Sequence, residues 1–358
     1  MPASEKDHIR ILSQLVLAPD QADQALEYVS SLNEHGREEL LALADSHHVT
    51  MRALSVLHET ARHDGNERIA YWSSRAIEME SARIEAALAK LNEIVTELEA
   101  NAAPVVVMKS LDHWPDLGSD LDLYSTAPES LIVDIFTKRL RAHVEPRSWG
   151  DRLAQKWNFK IPGLRESVEV HVQRLGQTGE HTALAQRFVT RRVNRELMGY
   201  VFPVPAPEER IIVATLQRMY RHFYFRICDI VNSGGLVEND LIDYQQLETA
   251  ANLGGIWPGV CTYLKIVSDY IAQYRGVGLV LPANVTANAV CGGNEIHARN
   301  LFLRVPIVPH GASLYTRQMK EAALHGHVGA ALRLSLLPPL ASVAALAFKV
   351  TGSDKGIW

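Results

Sequence analysis

The feature that most constrains this chain is a change of period near residue 101. Before it, apolar residues recur at threes and fours; after it come short segments that alternate at twos. A chain with that switch cannot be all helix or all strand. The first hundred residues therefore predict a helical module, with breaks at Pro19-Asp20, near Gly36 and at His63-Asp64-Gly65-Asn66. Ser4 and Asp7 are spaced to cap the first helix. The last helix of the module has Ile77, Ile84, Leu88, Leu91, Val95 and Leu98 on one stripe, the mark of a packed helix.

Pro104 ends the helical run, and Val105-Val106-Val107-Met108 is a β-branched apolar segment suited to a buried strand. Asp120-Leu121-Asp122-Leu123-Tyr124 alternates strictly, as does Ser167-Val168-Glu169-Val170-His171-Val172, while residues 131–140 carry the helical period. Beyond Pro203, Pro205 and Pro207 the helical period returns over residues 210–230 and again from Asp243, with turns expected at Gly234-Gly235, Gly254-Gly255, Gly276 to Gly278 and Gly292-Gly293. The expected fold class is α+β: a small mixed sheet in residues 104–203, flanked by helical regions 1–103 and 204–358.

In a strand, residues two apart point the same way, so Asp120 and Asp122 share one face while Leu121 and Leu123 anchor the other. Two adjacent carboxylates repel unless a proton or cation intervenes, and a hard divalent ion preferring oxygen relieves the cost, with magnesium the expected one. Glu169 lies on the polar face of another strand and joins the cluster if the two strands pair. His171, on the same face as Glu169, is placed to orient that carboxylate or to touch substrate.

The ordered run of helix, apolar strand, Lys109-Ser110, loop, Gly118-Ser119-Asp120-Leu121-Asp122-Leu123, helix and Val168-Glu169-Val170-His171 resembles the nucleotidyltransferase superfamily with the polymerase-β-like fold. Within it, the run is similar to an uncharacterised bacterial family in which a Lys-Gly turn precedes an Asp-x-Asp strand. The likeness spans residues 40–270, with residues 40–57 and 217–230 similar to the family's flanking helices. It implies Asp120 and Asp122 as metal ligands and Glu169 as the third acid, completing the metal site or accepting the acceptor's proton. It also implies that Lys109 and the Ser110 backbone face a triphosphate, with a magnesium-dependent transfer of a nucleoside monophosphate to a hydroxyl and release of pyrophosphate. Ser110 stands where the family has Gly, and Glu169 where it has Asp. Those departures motivate an alternative, a binding or regulatory protein that keeps the fold without catalysis.

Gly118 and Ser119 are placed to offer backbone N–H groups to phosphate. Arg218, Arg221, His222, Arg226 and Asp229 recur at threes and fours, predicting one polar helical stripe in which Arg218, His222 and Arg226 line the substrate cleft or Arg226 pairs with Asp229. Arg147, Arg152, Lys156, Lys160 and Arg165 read chiefly as a solvated face, and Tyr220, Phe223, Tyr224 and Phe225 as core. His47, His48, His58 and His63 lack the HExxH spacing of a zinc site.

With 36 basic against 41 acidic side chains and a formal charge of -5, the chain has no general excess of cationic charge for long nucleic acid, which points to a small-molecule or protein acceptor. Three dispersed cysteines give neither a disulfide framework nor a thiolate metal site, and no secretion signal is evident, so a cytoplasmic location is expected. Residues 334–348, interrupted by Pro338 and Pro339, fall short of the about 20 residues needed to span a bilayer and read as a buried terminal helix. There is no GxxxxGK[ST], no GxGxxG after a strand and no GxSxG, which argues against a P-loop kinase, a dinucleotide oxidoreductase or an α/β-hydrolase.

Overall fold

The computed structural model describes residues 5–299, 301–305, 310–324, 328–339 and Val343, so the expected cap at Ser4 and most of the expected terminal helix at 334–348 lie outside the described residues. Five helices open the chain: α1 Glu5–Leu17, α2 Ala22–Ser31, α3 Glu34–Ser46, α4 Thr50–His63 and α5 Glu67–Ala100. The expected break at Gly36 is displaced, because Asn33 caps α3 by accepting the Gly36 N–H at 2.8 Å, which puts Gly36 inside the first turn. A break at His47 to Val49 was not foreseen; it separates α3 from α4 and interrupts the segment 40–57.

Next come β1 Val105–Val107, a 3-10 turn Lys109–His113, β2 Asp120–Ser125, α6 Glu129–Asp134, β3 His143–Val144, α7 Trp149–Ala154, β4 Lys156–Lys160 and β5 Ser167–Val172. These strands form one mixed sheet in the order β1-β2-β5-β4-β3. Strand β2 runs parallel to β5 and pairs Asp122 with Glu169. The remaining pairs, β1 with β2, β4 with β5 and β3 with β4, are antiparallel. α8 Thr182–Thr190 follows, then the hairpin β6 Val193–Leu197 and β7 Tyr200–Val204, and α9 Pro207–Thr215, which runs into a π-helical segment Leu216–His222.

The last third departs from an all-helical reading. It contains α10 Ile227–Glu238, α11 Tyr244–Leu253, α12 Trp257–Arg275, α13 Ala283–Asn288, α14 Ala312–Leu324 and α15 Val328–Ser335. It also contains a second sheet of β8 Tyr224–Phe225, β9 His297–Arg299 and β10 Phe302–Arg304 in the order β8-β10-β9. Gly234-Gly235, read as a turn, lies inside α10, where a Cβ on Gly234 would come within 2.8 Å of Ile271 Cδ1; the missing side chain lets α10 and α12 approach. No helix among the described residues is long and apolar enough to cross a membrane.

The apolar faces close on two main cores. One joins α1 to α4 and the start of α5 with α9 to α12, from Ile9 and Leu57 through Ile230 and Val267 to Leu314. It is tied across the chain by hydrogen bonds from Ser13 to Tyr270 and from the Ile227 N–H to His47 Nδ1. The other packs Leu88, Leu91, Val95 and Leu98 of α5 against Val105, Leu121, Leu123, Val168 and Val170 of the sheet. The alternation of β2 thus does what its sequence dictates: the leucines enter this core, and the aspartates face away from it. α5 belongs to both cores, its stripe passing from one to the other along its length.

Asp116 ties the loop before β2 to the helical module, accepting the Met51 N–H at 2.5 Å at the start of α4, with Arg52 Nε 3.9 Å away. Burial raises its carboxyl to about 7 despite Arg52 and two backbone donors. A carboxyl raised on folding binds its proton more tightly in the native state, so its contribution to stability is full below about pH 4 and is lost as pH rises through about 7. Asp116→Asn should flatten the fall in unfolding free energy between those pH values by up to about 4 kcal/mol, read from urea curves at both. An unchanged pH slope would refute the assignment.

Candidate active site

The site lies where β2 and β5 run side by side. Their parallel register sets the polar faces together, so Asp122 and Glu169 are neighbours across the strand pair, with Asp120 one step toward solvent on the same face. One antiparallel strand further, β4 pairs Lys156 with His171, which puts Lys156 on this face, diagonal to Glu169. Among the described residues, Asp122, Glu169 and His171 have ligand atoms within 4.8 Å of one another and form the group able to hold a metal ion. Asp120 stands outside that group, exposed, its Oδ2 accepting from Ser119 Oγ at 3.3 Å.

Asp122, buried, and Glu169, half-buried, each have a cation of the chain's own. Lys109 Nζ lies 2.9 Å from Asp122 Oδ1, and Lys156 Nζ lies 3.0 Å from Glu169 Oε2, while His171 Nε2 is 2.7 Å from Glu169 Oε1. Burial raises the Asp122 carboxyl, with Lys109 opposing and the charge of Glu169 adding. Burial acts on Glu169 in the same direction, but the hydrogen bond to His171 and the charges of Lys156 and Lys109 overcome it and hold Glu169 well below the usual carboxylate range. The two carboxyls are thus pushed in opposite directions, Asp122 up and Glu169 down.

Ser110 is buried and bridges β2. Its hydroxyl accepts the Asp122 N–H at 2.7 Å and donates to the Asp120 carbonyl at 3.2 Å. The side chain that stands in place of glycine therefore fastens the acidic strand to the turn after β1. Gly118 and Ser119 sit in a loop held by Arg83, whose Nη2 donates to the Leu117 carbonyl at 2.9 Å and whose guanidinium pairs with Glu80 and Glu166. Sequence reasoning missed Arg83, since Glu166 lies 83 positions away.

All the expected site residues except His171 line one cleft of about 210 Å³: Lys109, Ser110, Gly118, Ser119, Asp120, Asp122 and Glu169 on the sheet side, Arg218, His222 and Arg226 on the helical side. Arg221 lines it as well; His171 opens into smaller pockets next to it, which share Arg221. The single polar stripe is not what brings the helical residues together. Phe223 takes a left-handed conformation, φ 54°, which ends the π-helical segment and places Arg218, Arg221 and His222 before a reversal and Arg226 and Asp229 after it. The pairing also differs: Arg218 Nε meets Asp229 Oδ2 at 2.7 Å, while Asp229 accepts the backbone N–H of Arg226 at 2.6 Å. The Arg226 guanidinium turns to His48 instead.

The helical wall is cationic with neutral histidines. Burial and the neighbouring Arg221, Arg218, Lys109 and Arg226 push His222 down to about 2, and burial lowers His48 and His113 well below their ordinary value. Of the aromatic residues expected in the core, Phe225 is buried and stacks on Tyr263 at 5.3 Å, but Tyr224 reaches the cleft, stacked on Phe302 at 4.3 Å with Arg218 and Arg304 over its ring. Lys156 is likewise no part of a solvated face: it is 9% exposed and held between Glu169 and Asp151.

The chain matches no protein-family model and no curated protein. Among solved structures it is similar to an antigenic nucleotidyltransferase-like protein from Paracoccidioides brasiliensis, at 15% identity and a TM-score of 0.34, over 57% of this chain and 97% of that one. No role is transferred from so distant a likeness.

Proposed function

We propose that the protein is a magnesium-dependent nucleotidyltransferase. The observation that carries the reading is the juxtaposition, across one parallel strand pair, of Asp122 and Glu169 in a cleft whose opposite wall carries Arg218, Arg221 and Arg226. Acidic oxygens on one side suit a hard divalent cation, and guanidinium groups on the other suit the phosphates of a nucleoside triphosphate. Asp120 and Asp122 supply the oxygens that would hold magnesium, which when bound neutralises and polarises the phosphate under attack.

The remaining work falls to the chain. Lys109 turns from Asp122 to the phosphates, and Arg221 and Arg226 hold the tail against the helical wall, with Arg218 buried behind them on Asp229. Tyr224, stacked on Phe302, carries Arg218 over its ring at the cleft wall. The acceptor oxygen attacks the α-phosphorus, the bond to the bridging oxygen breaks, pyrophosphate leaves, and the hydroxyl proton passes to the Glu169–His171 pair. The acceptor is a small-molecule or protein hydroxyl, consistent with the overall charge of -5, and the compartment is the cytoplasm. Thermal unfolding with ATP, GTP, CTP and UTP checks the nucleotide half: one of them, with magnesium, should raise the melting temperature by a few degrees, the effect of about 2.7 kcal/mol at a hundredfold excess over Kd. No shift with any of the four sinks the reading.

One observation favours the second reading, a nucleotide-binding protein without turnover. Lys109 and Lys156 already form ion pairs with Asp122 and Glu169. Radiolabelled triphosphates incubated with the protein and cell extract separate the two: a labelled acceptor supports the enzyme, and nucleotide protection without label supports the binding protein.

A further inference from the structure

The two lysines at the carboxylates are not equivalent. Lys109 touches Asp122 from a side chain that is 23% exposed, on a turn bordering the open cleft. Lys156 is enclosed, and its ammonium sits between two anions, 3.0 Å from Glu169 Oε2 and 2.9 Å from Asp151 Oδ1. Asp151 cannot follow a moving lysine, because it is half of a capping box at the start of α7: its Oδ2 accepts the Ser148 N–H at 2.9 Å and its own N–H donates to Ser148 Oγ at 3.0 Å. Withdrawing Lys156 would leave the buried Asp151 without its counter-charge and Glu169 with one cation fewer, a loss that exceeds what an exposed pair costs. With His171 on its other oxygen, Glu169 has both oxygens engaged by nitrogen.

We propose that Lys156 is a permanent built-in cation in the place where a second divalent ion would sit, so that the cleft takes a single ion, on Asp120 and Asp122, and Lys109 is the group that ion displaces. The inference rests on the metal-binding half of the proposed function. It removes Glu169 from the metal ligands and makes it a fixed anion that orients His171.

The test counts ions rather than turnover. Manganese(II), a spectroscopic substitute for magnesium, is titrated into the full-length protein without nucleotide, and bound ion is measured by electron paramagnetic resonance. The wild type should bind one ion per chain. Lys109→Met should also bind one, about tenfold more tightly, since no ammonium competes for Asp122. Lys156→Met should bind two, the second on Glu169 and Asp151, and Lys156→Arg should return the count to one. If Lys156→Met fails to fold by its melting curve, Lys156→Gln, which keeps a hydrogen-bond donor without the charge, replaces it with the same expectation. Two ions in the wild type, one in the folded neutral variant, or none in either overturns the proposal. One ion bound with no nucleotide transfer would instead leave the ion count standing and remove the enzyme.

Discussion

Replacing Asp120 and Asp122 together with asparagine should lower magnesium-dependent nucleotidyl transfer by at least about a thousandfold, ~4 kcal/mol of barrier, while the protein stays folded. The loss is large because both oxygen donors of the proposed ion come from this one strand face. The fold survives because its leucines, not its aspartates, enter the sheet's core. Burial already disfavours the Asp122 charge, so a neutral amide of the same shape relieves a cost. Its partner Lys109 has solvent within reach. Ser110 meets the backbone of β2 and not the carboxylate, so the turn stays fastened. Transfer assays and urea unfolding on the double variant check both halves; turnover within tenfold of wild type would remove these residues from the chemistry.

The largest expected effect on stability comes from Asp229→Ala. Its carboxylate is the counter-ion of Arg218, the largest fully buried side chain described, and it also accepts the N–H of Arg226 at the start of α10. Truncation strands a guanidinium that is 1% exposed and removes the helix cap, for an expected loss of about 3–5 kcal/mol in urea unfolding. Because Arg218 lines the cleft, pyrophosphate should recover part of the loss in this variant by supplying the missing negative charge. A loss below about 1 kcal/mol would mean that Arg218 has another anion to turn to.

The acidic strand was legible because its information is local. Period-two alternation at Asp120 to Tyr124 gives the strand, the face and the buried leucines at once, and Val168 to Val172 repeats the pattern, leaving only their pairing to be learned. Lys156 was misread because its role depends on β4 lying against β5 in one register, which no local pattern specifies. The arginine stripe failed for a different reason. Phe223 adopts a left-handed backbone without being glycine, so the helical spacing of Arg218 to Asp229 continues in sequence through a point where the chain turns back. The residues meet nonetheless, since the reversal folds the second helix beside the first. The strand at β8 was hidden because its partner β10 lies some eighty positions further on.

The helical core has a consequence for how the chain is made. Its first four helices pack on one another and on α5, but the core they share is completed by α10 to α12, where Ser13 meets a tyrosine 257 positions further on. Contacts that distant close slowly, and the exposed stripes meanwhile invite association with other chains. Closure of α10 to α12 over the first four helices should therefore be the late step of folding, after the local packing of α4 on α5.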